Sequence, residues 1–350
     1  MPDLATLGWD DDWRTAFGVH RAAGLVPGRV AVQHRGAYDV LTEEGEERAR
    51  LPGRARRDVE SLAELPVVGD WVALERAAAG DAPTIRAVLP RRTKFSRLAA
   101  HDPGSNVTRE QVVAANVDVA FIVASLVDDL SPRRFERYLT LAWESGARPV
   151  ILLTKADLAP DPRPAVAAVA EIAGDVPVHA VSVRSGLGLD AVRSYLAPGV
   201  TTVLLGPSGV GKSRLVNTLA GEEVMTTGAV RHDGSGRHTT THRQLVILPG
   251  GGIVVDNPGM RELHLWLAAD GLEEAFEDIV ELEAQCRFAD CRHEGEPGCA
   301  IQEALADGRL DPARWRSYRE LQQELAGLEE RLARRERSRA RRGRPGAGAS

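Results

Sequence analysis

Gly206-Pro-Ser-Gly-Val-Gly-Lys-Ser213 is the stretch whose reading decides the fold. It fits G-x-x-x-x-G-K-[ST], a phosphate-binding loop that joins a strand to a helix. Residues 200–205 before it form an apolar, β-branched run that predicts a buried strand. Residues 214–220 after it carry apolar positions at helical spacing. Along Gly206, Pro207, Ser208, Gly209, Val210 and Gly211 the glycines let backbone N–H groups curl around the β- and γ-phosphates of a nucleotide. The helix that follows adds its positive end. Lys212 is placed to reach the phosphates, and the Ser213 hydroxyl to ligate Mg²⁺.

Composition sets the outer bounds. A chain of 350 residues with 43% hydrophobic and 27% charged residues predicts two or three ordinary globular domains. The net charge of −6 excludes a uniformly basic nucleic-acid binder and leaves room for local basic patches. No apolar run of membrane-spanning length is free of charge, the best, at 114–127, being broken by Asp118. The N-terminal Met1-Pro-Asp-Leu4 lacks the basic-then-apolar form of a secretory signal, so a cytoplasmic protein without membrane association is expected. Three cysteines make no disulfide framework. Of the 44 basic residues only Lys94, Lys155 and Lys212 are lysines. Such a bias leaves lysine where a compact ammonium serves better than a planar guanidinium, as it does among phosphates.

Upstream of the loop the chain changes character twice. Residues 1–25 hold Trp9, Trp13 and Phe17 among acidic residues and predict a short helical extension with no chemistry. From Gly28 to Arg92 short apolar runs (29–33, 38–41, 67–74 and 84–89) alternate with turn residues, the pattern of a small β-barrel of OB type. Arg48, Arg50, Arg54, Arg56 and Arg57 lie on or between its strands, and OB barrels often bind RNA. Residues 99–106 read as a linker.

An α/β pattern follows: strands at 117–124, 149–153 and 178–183, with helices at 132–144 and 166–173. Such alternation predicts a parallel sheet that binds ligands at the carboxyl ends of its strands. The second strand ends in Thr154-Lys-Ala-Asp157, an [NT]-K-x-D element. The tetrapeptide resembles that element of GTPases, in which the carboxylate at the Asp157 position accepts from guanine N1–H and the 2-amino group, an arrangement adenine lacks. Lys155 packs along the base, Ala156 is the spacer, and Thr154 stands where Asn is commoner. Ser182-Val183-Arg184 is a weaker match to the loop that caps the base through backbone N–H groups.

Beyond the phosphate loop, residues 234–243 have the composition of a switch loop, with Thr240 as a Mg²⁺ ligand. Residues 244–248 and 253–256 flank Pro249-Gly-Gly-Gly252 and predict a hairpin. It ends in Asp256-Asn-Pro-Gly259, where Asp256 would hold the Mg²⁺ water shell and the Gly259 N–H would meet the γ-phosphate. GTPases normally run phosphate loop, switch Thr, D-x-x-G and then K-x-D. Here K-x-D comes first and the rest keeps its cyclic order, which predicts a circularly permuted GTPase.

All three cysteines fall in Cys286-x₄-Cys291-x-His293-x₅-Cys299. Three thiolates and an imidazole form a closed set suited to one structural Zn²⁺. Helices are expected around it at 272–283 and 315–332. The arginine-rich stretch 331–344 suits a phosphate backbone.

Taken together, these motifs resemble the ribosome small subunit-dependent GTPase A family (RsgA, YjeQ or YloQ). The likeness extends over nearly the whole chain and includes Thr93-Lys-Phe-Ser-Arg97, Ala115-Asn-Val-Asp118 and Gly236-Arg-His-Thr-Thr-Thr241. The resemblance implies an α/β fold: a circularly permuted P-loop GTPase domain with an N-terminal OB-type β-barrel and a C-terminal α-helical zinc-binding domain. The expected boundaries are 1–98, 99–267 and 268–335, with a basic tail at 336–350. It implies a GTP hydrolase, slow alone and stimulated by the small ribosomal subunit. Such a factor binds rRNA late in subunit assembly, works as a monomer with GTP/GDP, Mg²⁺ and Zn²⁺, and leaves after hydrolysis. It points to His238, with Thr240, as catalytic, since Met260 holds the position where many GTPases carry a water-orienting Gln. The rival readings are a P-loop ATPase or kinase with a zinc lid, against which Asp157 speaks, and a nucleotide-gated RNA-binding protein without significant turnover.

Overall fold

The computed structural model describes residues 3–34, 36–53, 62–76, 81–98, 110–225, 244–256, 272–273 and 275–342. Among the described residues, thirteen strands lie in chain order. The first five are β1 (Val26–Gln33), β2 (Ala37–Thr42), β3 (Gly45–Arg50), β4 (Trp71–Glu75) and β5 (Thr84–Val88). Strand β1 pairs with both β2 and β4, β2 with β3, β3 with β5, and β5 with β4, so the ring closes in the order of an OB fold. Its interior is Val30, Tyr38, Val40, Ala49, Val72, Leu74 and Ile85. Strand β3, Gly-Glu-Glu-Arg-Ala-Arg, was not among the expected runs: only Ala49 points inward, so no apolar alternation announces it.

The N-terminal extension does more than precede the barrel. Helices α1 (Asp11–Ala16) and α2 (Gly18–Ala22) carry Trp13 and bring Phe17 between them. With Leu4, Leu7 and Trp9 these side chains bury themselves against Trp71, Ala73 and Leu89. Trp9 meets Trp71 edge to face at 4.7 Å.

A two-stranded ribbon, β6 (Lys94–Leu98) with β7 (Glu110–Ala115), leads into the second body. The main sheet there runs β10 (Val178–Ala180), β9 (Arg148–Thr154), β8 (Val119–Ser125), β11 (Thr201–Leu205), β13 (Ile253–Asp256), β12 (Gln244–Ile247). The first five are mutually parallel, and β12 turns back on β13 as the expected hairpin. The third expected strand is shorter than 178–183, because after Val181, whose N–H still donates to the Leu153 carbonyl of β9 at 2.8 Å, the chain turns into the loop that carries Ser182. Helices α3 (Pro132–Ser145), α4 (Arg163–Ala173), α5 (Leu189–Ser194) and α6 (Lys212–Ala220) cover the sheet. Strand β8 is buried at every residue, as a central parallel strand covered on both faces must be.

Three further helices follow: α7 (Glu277–Ala284), α8 (Ala300–Asp307) and α9 (Pro312–Arg342). Their core residues Phe276, Ile279, Ile301, Tyr318, Leu321 and Leu325 join one apolar cluster with Phe135 and Leu139 of α3. Ion pairs Arg133–Glu320, Arg137–Glu324 and Arg314–Glu136 run along the α3–α9 seam. Among the described residues no helix is long and apolar enough to cross a membrane.

Candidate functional site

Because β8, β9, β11 and β13 are parallel, their carboxyl ends open at one edge of the sheet, and the motifs read from the sequence converge there. Strand β11 delivers Gly206, whose φ of +139° and close approach to β8 admit no side chain. A Cβ there would lie 2.2 Å from the Val123 carbonyl oxygen. The loop then turns through Gly209 and Gly211, both at positive φ, and α6 begins at Lys212. The Lys212 ammonium donates to the carbonyls of Gly206 and Pro207 at 2.7 and 2.6 Å, folded across the loop it would serve. Ser213 sits in the first turn of α6. Asp256 ends β13, which pairs with β11 through Val203↔Val255. The Ser213 hydroxyl and the Asp256 carboxylate are hard oxygen donors of the kind Mg²⁺ takes. Gly259, His238, Thr240 and Met260 lie outside the described residues.

The order K-x-D before phosphate loop disappears in space. Strand β9 ends at Thr154, whose buried hydroxyl faces the Ala124 carbonyl at 3.0 Å and the Val210 carbonyl at 2.5 Å. A threonine thus ties the end of β9 to the phosphate loop, which is a physical reason for Thr where Asn is commoner. Lys155 adopts the left-handed conformation, φ +58°, and starts the 3₁₀ turn Ala156–Leu158. The Ala156 N–H donates to Val181 O at 3.1 Å, which fixes that turn against the loop after β10. In that loop the buried Ser182 hydroxyl donates to Asp157 Oδ1 at 2.6 Å and accepts from the Ser185 N–H at 3.1 Å. Asp157 itself is exposed. The Ser182 hydrogen bond first, then nearby Arg184 and Arg214, hold its carboxyl below the usual range, so it stays an acceptor. Val183 lies in the turn between them. Sequence reading assigned Ser182 to the base through its backbone; its side chain also holds the Asp157 carboxylate.

The metal cluster forms as expected. One ligand atom from each of Cys286, Cys291, His293 and Cys299 lies within 4.8 Å of all the others. His293 Nδ1 is 3.6 Å from Cys286 Sγ and 3.4 Å from Cys299 Sγ. A tetrahedral Zn²⁺ with ordinary Zn–S and Zn–N bonds needs about 3.6 Å along such an edge, so the donor set fits zinc. His293 turns its Nδ1 inward by taking φ +61°, and its Nε2 meets Glu283 at 3.3 Å. Glu283 also accepts from the Tyr318 hydroxyl at 3.0 Å, and Gln302 Nε2 donates to the His293 carbonyl at 2.6 Å. These outer partners fix the tautomer and tilt of the imidazole. None was read from the sequence, where Glu283, Gln302 and Tyr318 are ordinary polar residues of helical stretches.

Two surfaces differ from expectation in detail. On the barrel, Arg48 is held by Asp39 at 2.7 Å rather than left free for phosphate, and Arg76 and Arg86 pair with Glu44 and Glu75. Arg54, Arg56 and Arg57 lie outside the described residues, as does the linker at 99–106. The helix expected at 315–332 runs on to Arg342, which puts the arginines from 331 on a helix.

One buried charged residue was missed altogether. Arg29, in β1, is fully buried at the joint between barrel, extension and sheet. Its guanidinium donates to the carbonyls of Leu7, Gly69 (3.4 Å) and Asn116 (3.2 Å) and to the Thr201 hydroxyl at 2.7 Å, at the start of β11. Burial pushes it down to about 10, opposed by Asp118 and Asp70, so it remains a cation at neutral pH. A charged residue in the middle of an apolar run was the available signal.

Comparison with known proteins adds an independent line. The family model described as RsgA GTPase matches residues 88–266. A protein of Opitutus terrae, small ribosomal subunit biogenesis GTPase RsgA, is 46% identical over 350 residues, covering 96% of this chain and 94% of its own. The Streptomyces coelicolor protein of the same name is 46% identical over 92% of this chain and 86% of its own. Among solved structures, YjeQ from Thermotoga maritima aligns with a TM-score of 0.64 and 28% identity over 87% of this chain and 99% of that one. YloQ, a circularly permuted GTPase, aligns with 0.60 and 25% identity over 87% and 96%. Likeness of that degree reaches far past the nucleotide motifs, into barrel and cysteine cluster alike, and the chain belongs to the RsgA GTPase family.

Proposed function

We propose that the chain hydrolyses GTP to GDP and phosphate and acts as a late assembly factor of the small ribosomal subunit. The observation that carries this is the Thr154 clasp. It brings a guanine-reading Asp157 and a phosphate loop together at one sheet edge although the chain delivers them in reversed order. Thr154, Lys155, Ala156, Asp157, Ser182 and Val183 form the base side of the site, and Gly206 to Ser213 with Asp256 and Gly259 the phosphate side. Mg²⁺, held by Ser213, Asp256 and Thr240, would neutralise charge on the β- and γ-phosphates. Lys212 exchanges its loop carbonyls for phosphate oxygens, which keeps the ammonium hydrogen-bonded in both states. His238 orients the attacking water, a task beyond the weak thioether acceptor of Met260.

The domain reading is 1–98 for extension and barrel, 99–267 for the GTPase, 268–335 for the metal domain and 336–350 for the tail. One structural Zn²⁺ in the Cys286, Cys291, His293, Cys299 set would hold the metal domain together. Barrel and metal domain would bind rRNA, and the factor would leave after hydrolysis, as a cytoplasmic monomer. The relatives' names, which join a GTPase to small-subunit biogenesis, support this reading. The test is GTP turnover with and without purified small subunits. Slow turnover alone and strong stimulation by the subunit are expected, and fast ATP turnover or indifference to the subunit would overturn it.

A further inference from the structure

A groove of about 1150 Å³ lies away from the nucleotide edge. It lies at the opposite, amino-terminal end of the parallel sheet, where Arg148 and Pro149 begin β9. One wall is α3 and the end of α4, and the other is α7 of the metal domain. The volume exceeds the roughly 300–1,000 Å³ of small-molecule sites, so a stretch of polypeptide suits it better than a metabolite.

Its floor is apolar. Leu139 and Trp143, one turn apart on α3, meet Ile172 and Val176, with Val280 facing them from α7. Its rim is acidic on both walls: Glu171 and Asp175 on one, Glu273, Glu277 and Glu281 on the other. None of these five carboxylates has an ion-pair partner among the described residues. The two arginines that line the groove are already engaged. Arg314 is bound to Asp278 and Glu136, and the Arg148 guanidinium lies over the Tyr195 ring at 5.5 Å. Glu277, Val280, Glu281 and Ala284 share one face of α7 by their i, i+3, i+4, i+7 spacing, so the helix presents an apolar stripe edged by charge.

We propose that this groove binds a basic, amphipathic peptide segment of a protein partner. Apolar side chains would fill the floor and Arg or Lys would meet the two acidic rims. A nucleic-acid backbone is disfavoured, because five carboxylates around the floor repel phosphate. The chain's own arginine-rich stretch is disfavoured as well. It lies on the far end of α9, which runs as one helix from Pro312 beside the groove to Arg342, about 1.5 Å further with each residue. An occupant would touch the GTPase body and the metal domain at once and would bias their relative placement without competing for the nucleotide.

The probe is a fluorescein-labelled peptide of about twelve residues alternating leucine pairs with arginine pairs, read by anisotropy against the full-length protein. A peptide of equal charge with serine for leucine is the control, together with a single-stranded RNA of similar length. The leucine peptide is expected to bind about tenfold or more tighter than the serine control, and Glu277→Lys/Glu281→Lys to weaken it by about tenfold. Both positions are exposed, so folding is not at stake. Trp143→Ala should weaken the leucine peptide and leave the serine peptide unchanged. Equal binding of both peptides, or no effect of the charge reversal, would overturn the proposal. So would RNA binding that the charge reversal abolishes, a dimer in sedimentation that it dissociates, or stronger competition from a peptide of residues 331–344 than from the probe.

Discussion

Replacing Arg29 by methionine keeps most of the buried stem and removes the guanidinium from the joint. Four acceptors lose a donor at once: the carbonyls of Leu7, Gly69 and Asn116, and the Thr201 hydroxyl. The Gly69 carbonyl keeps the Asn116 side-chain donor, but each of the other buried acceptors left without a partner costs about 1–3 kcal/mol, and the stacking on Trp71 at 5.5 Å is lost with them. Against this, methionine spares the several kcal/mol needed to desolvate a cation, and the lost bonds are not additive. The net loss expected is about 3–5 kcal/mol, a large share of the 5–15 kcal/mol that a domain commands. Trp9, Trp13 and Trp71 surround the joint, so tryptophan fluorescence in urea reports on it directly. With an m-value of about 1–3 kcal/mol per molar, the transition should move down by roughly 1–5 M. Arg29→Lys should recover less than half of the loss, since a single ammonium cannot span acceptors on four segments. Because Thr201 opens the strand that ends at the phosphate loop, GTP affinity should fall in the methionine variant as well. A midpoint within about 0.3 M of the unaltered protein, or full recovery by lysine, would refute the claim that the guanidinium fork holds the joint.

Asp157→Asn should weaken GTP by roughly ten- to a hundred-fold and improve xanthosine triphosphate, since an amide can donate to the 2-oxo group; unchanged GTP binding by calorimetry would remove the base-reading role. The Ser182 hydrogen bond holds Asp157 below the usual carboxylate range, so GTP affinity should be full near neutrality and fall only as pH drops through that lowered value. Ser182→Ala raises the value and should move the acid limb of the affinity profile to higher pH; an unshifted limb would show that the hydroxyl does not tune the carboxylate. Metal analysis should give about one zinc per chain. Cys291→Ser should lose the metal and unfold the helices around it while leaving GTP binding in place, and a metal-free protein that keeps those helices would contradict this. His238→Ala should retain GTP affinity and subunit binding yet lose roughly 10²-fold of the stimulated rate, and an equal stimulated rate would reject the role.

Local chemistry was legible in the chain because it depends on spacing along a few residues. A phosphate loop needs its glycines and lysine at fixed offsets, and so Gly206 to Ser213 could be read before any fold was known. The same holds for Thr154 to Asp157 and for the three cysteines with His293, whose ligand atoms do converge within 4.8 Å. Parallel strands with apolar runs, such as β8 and β9, announced themselves by burial on both faces.

What the tertiary structure decided is everything that pairs residues far apart in sequence. Strand β3 carries one inward side chain, so its place in the barrel follows from pairing with β2 and β5 and not from its own pattern. Thr154 looked like a weaker Asn until β9 and the phosphate loop were brought together and its hydroxyl found Val210, 56 positions along the chain. Arg29 reaches Thr201 across 172 positions, and the apolar run around it does not say which three carbonyls and one hydroxyl, from four segments, will surround its guanidinium. The acidic groove draws its two walls from α4 and α7, whose charges look like ordinary solvated helix faces until packing sets them against each other. Short-range chemistry is written in the order of residues, whereas burial and long-range hydrogen bonds exist only once the chain has closed on itself.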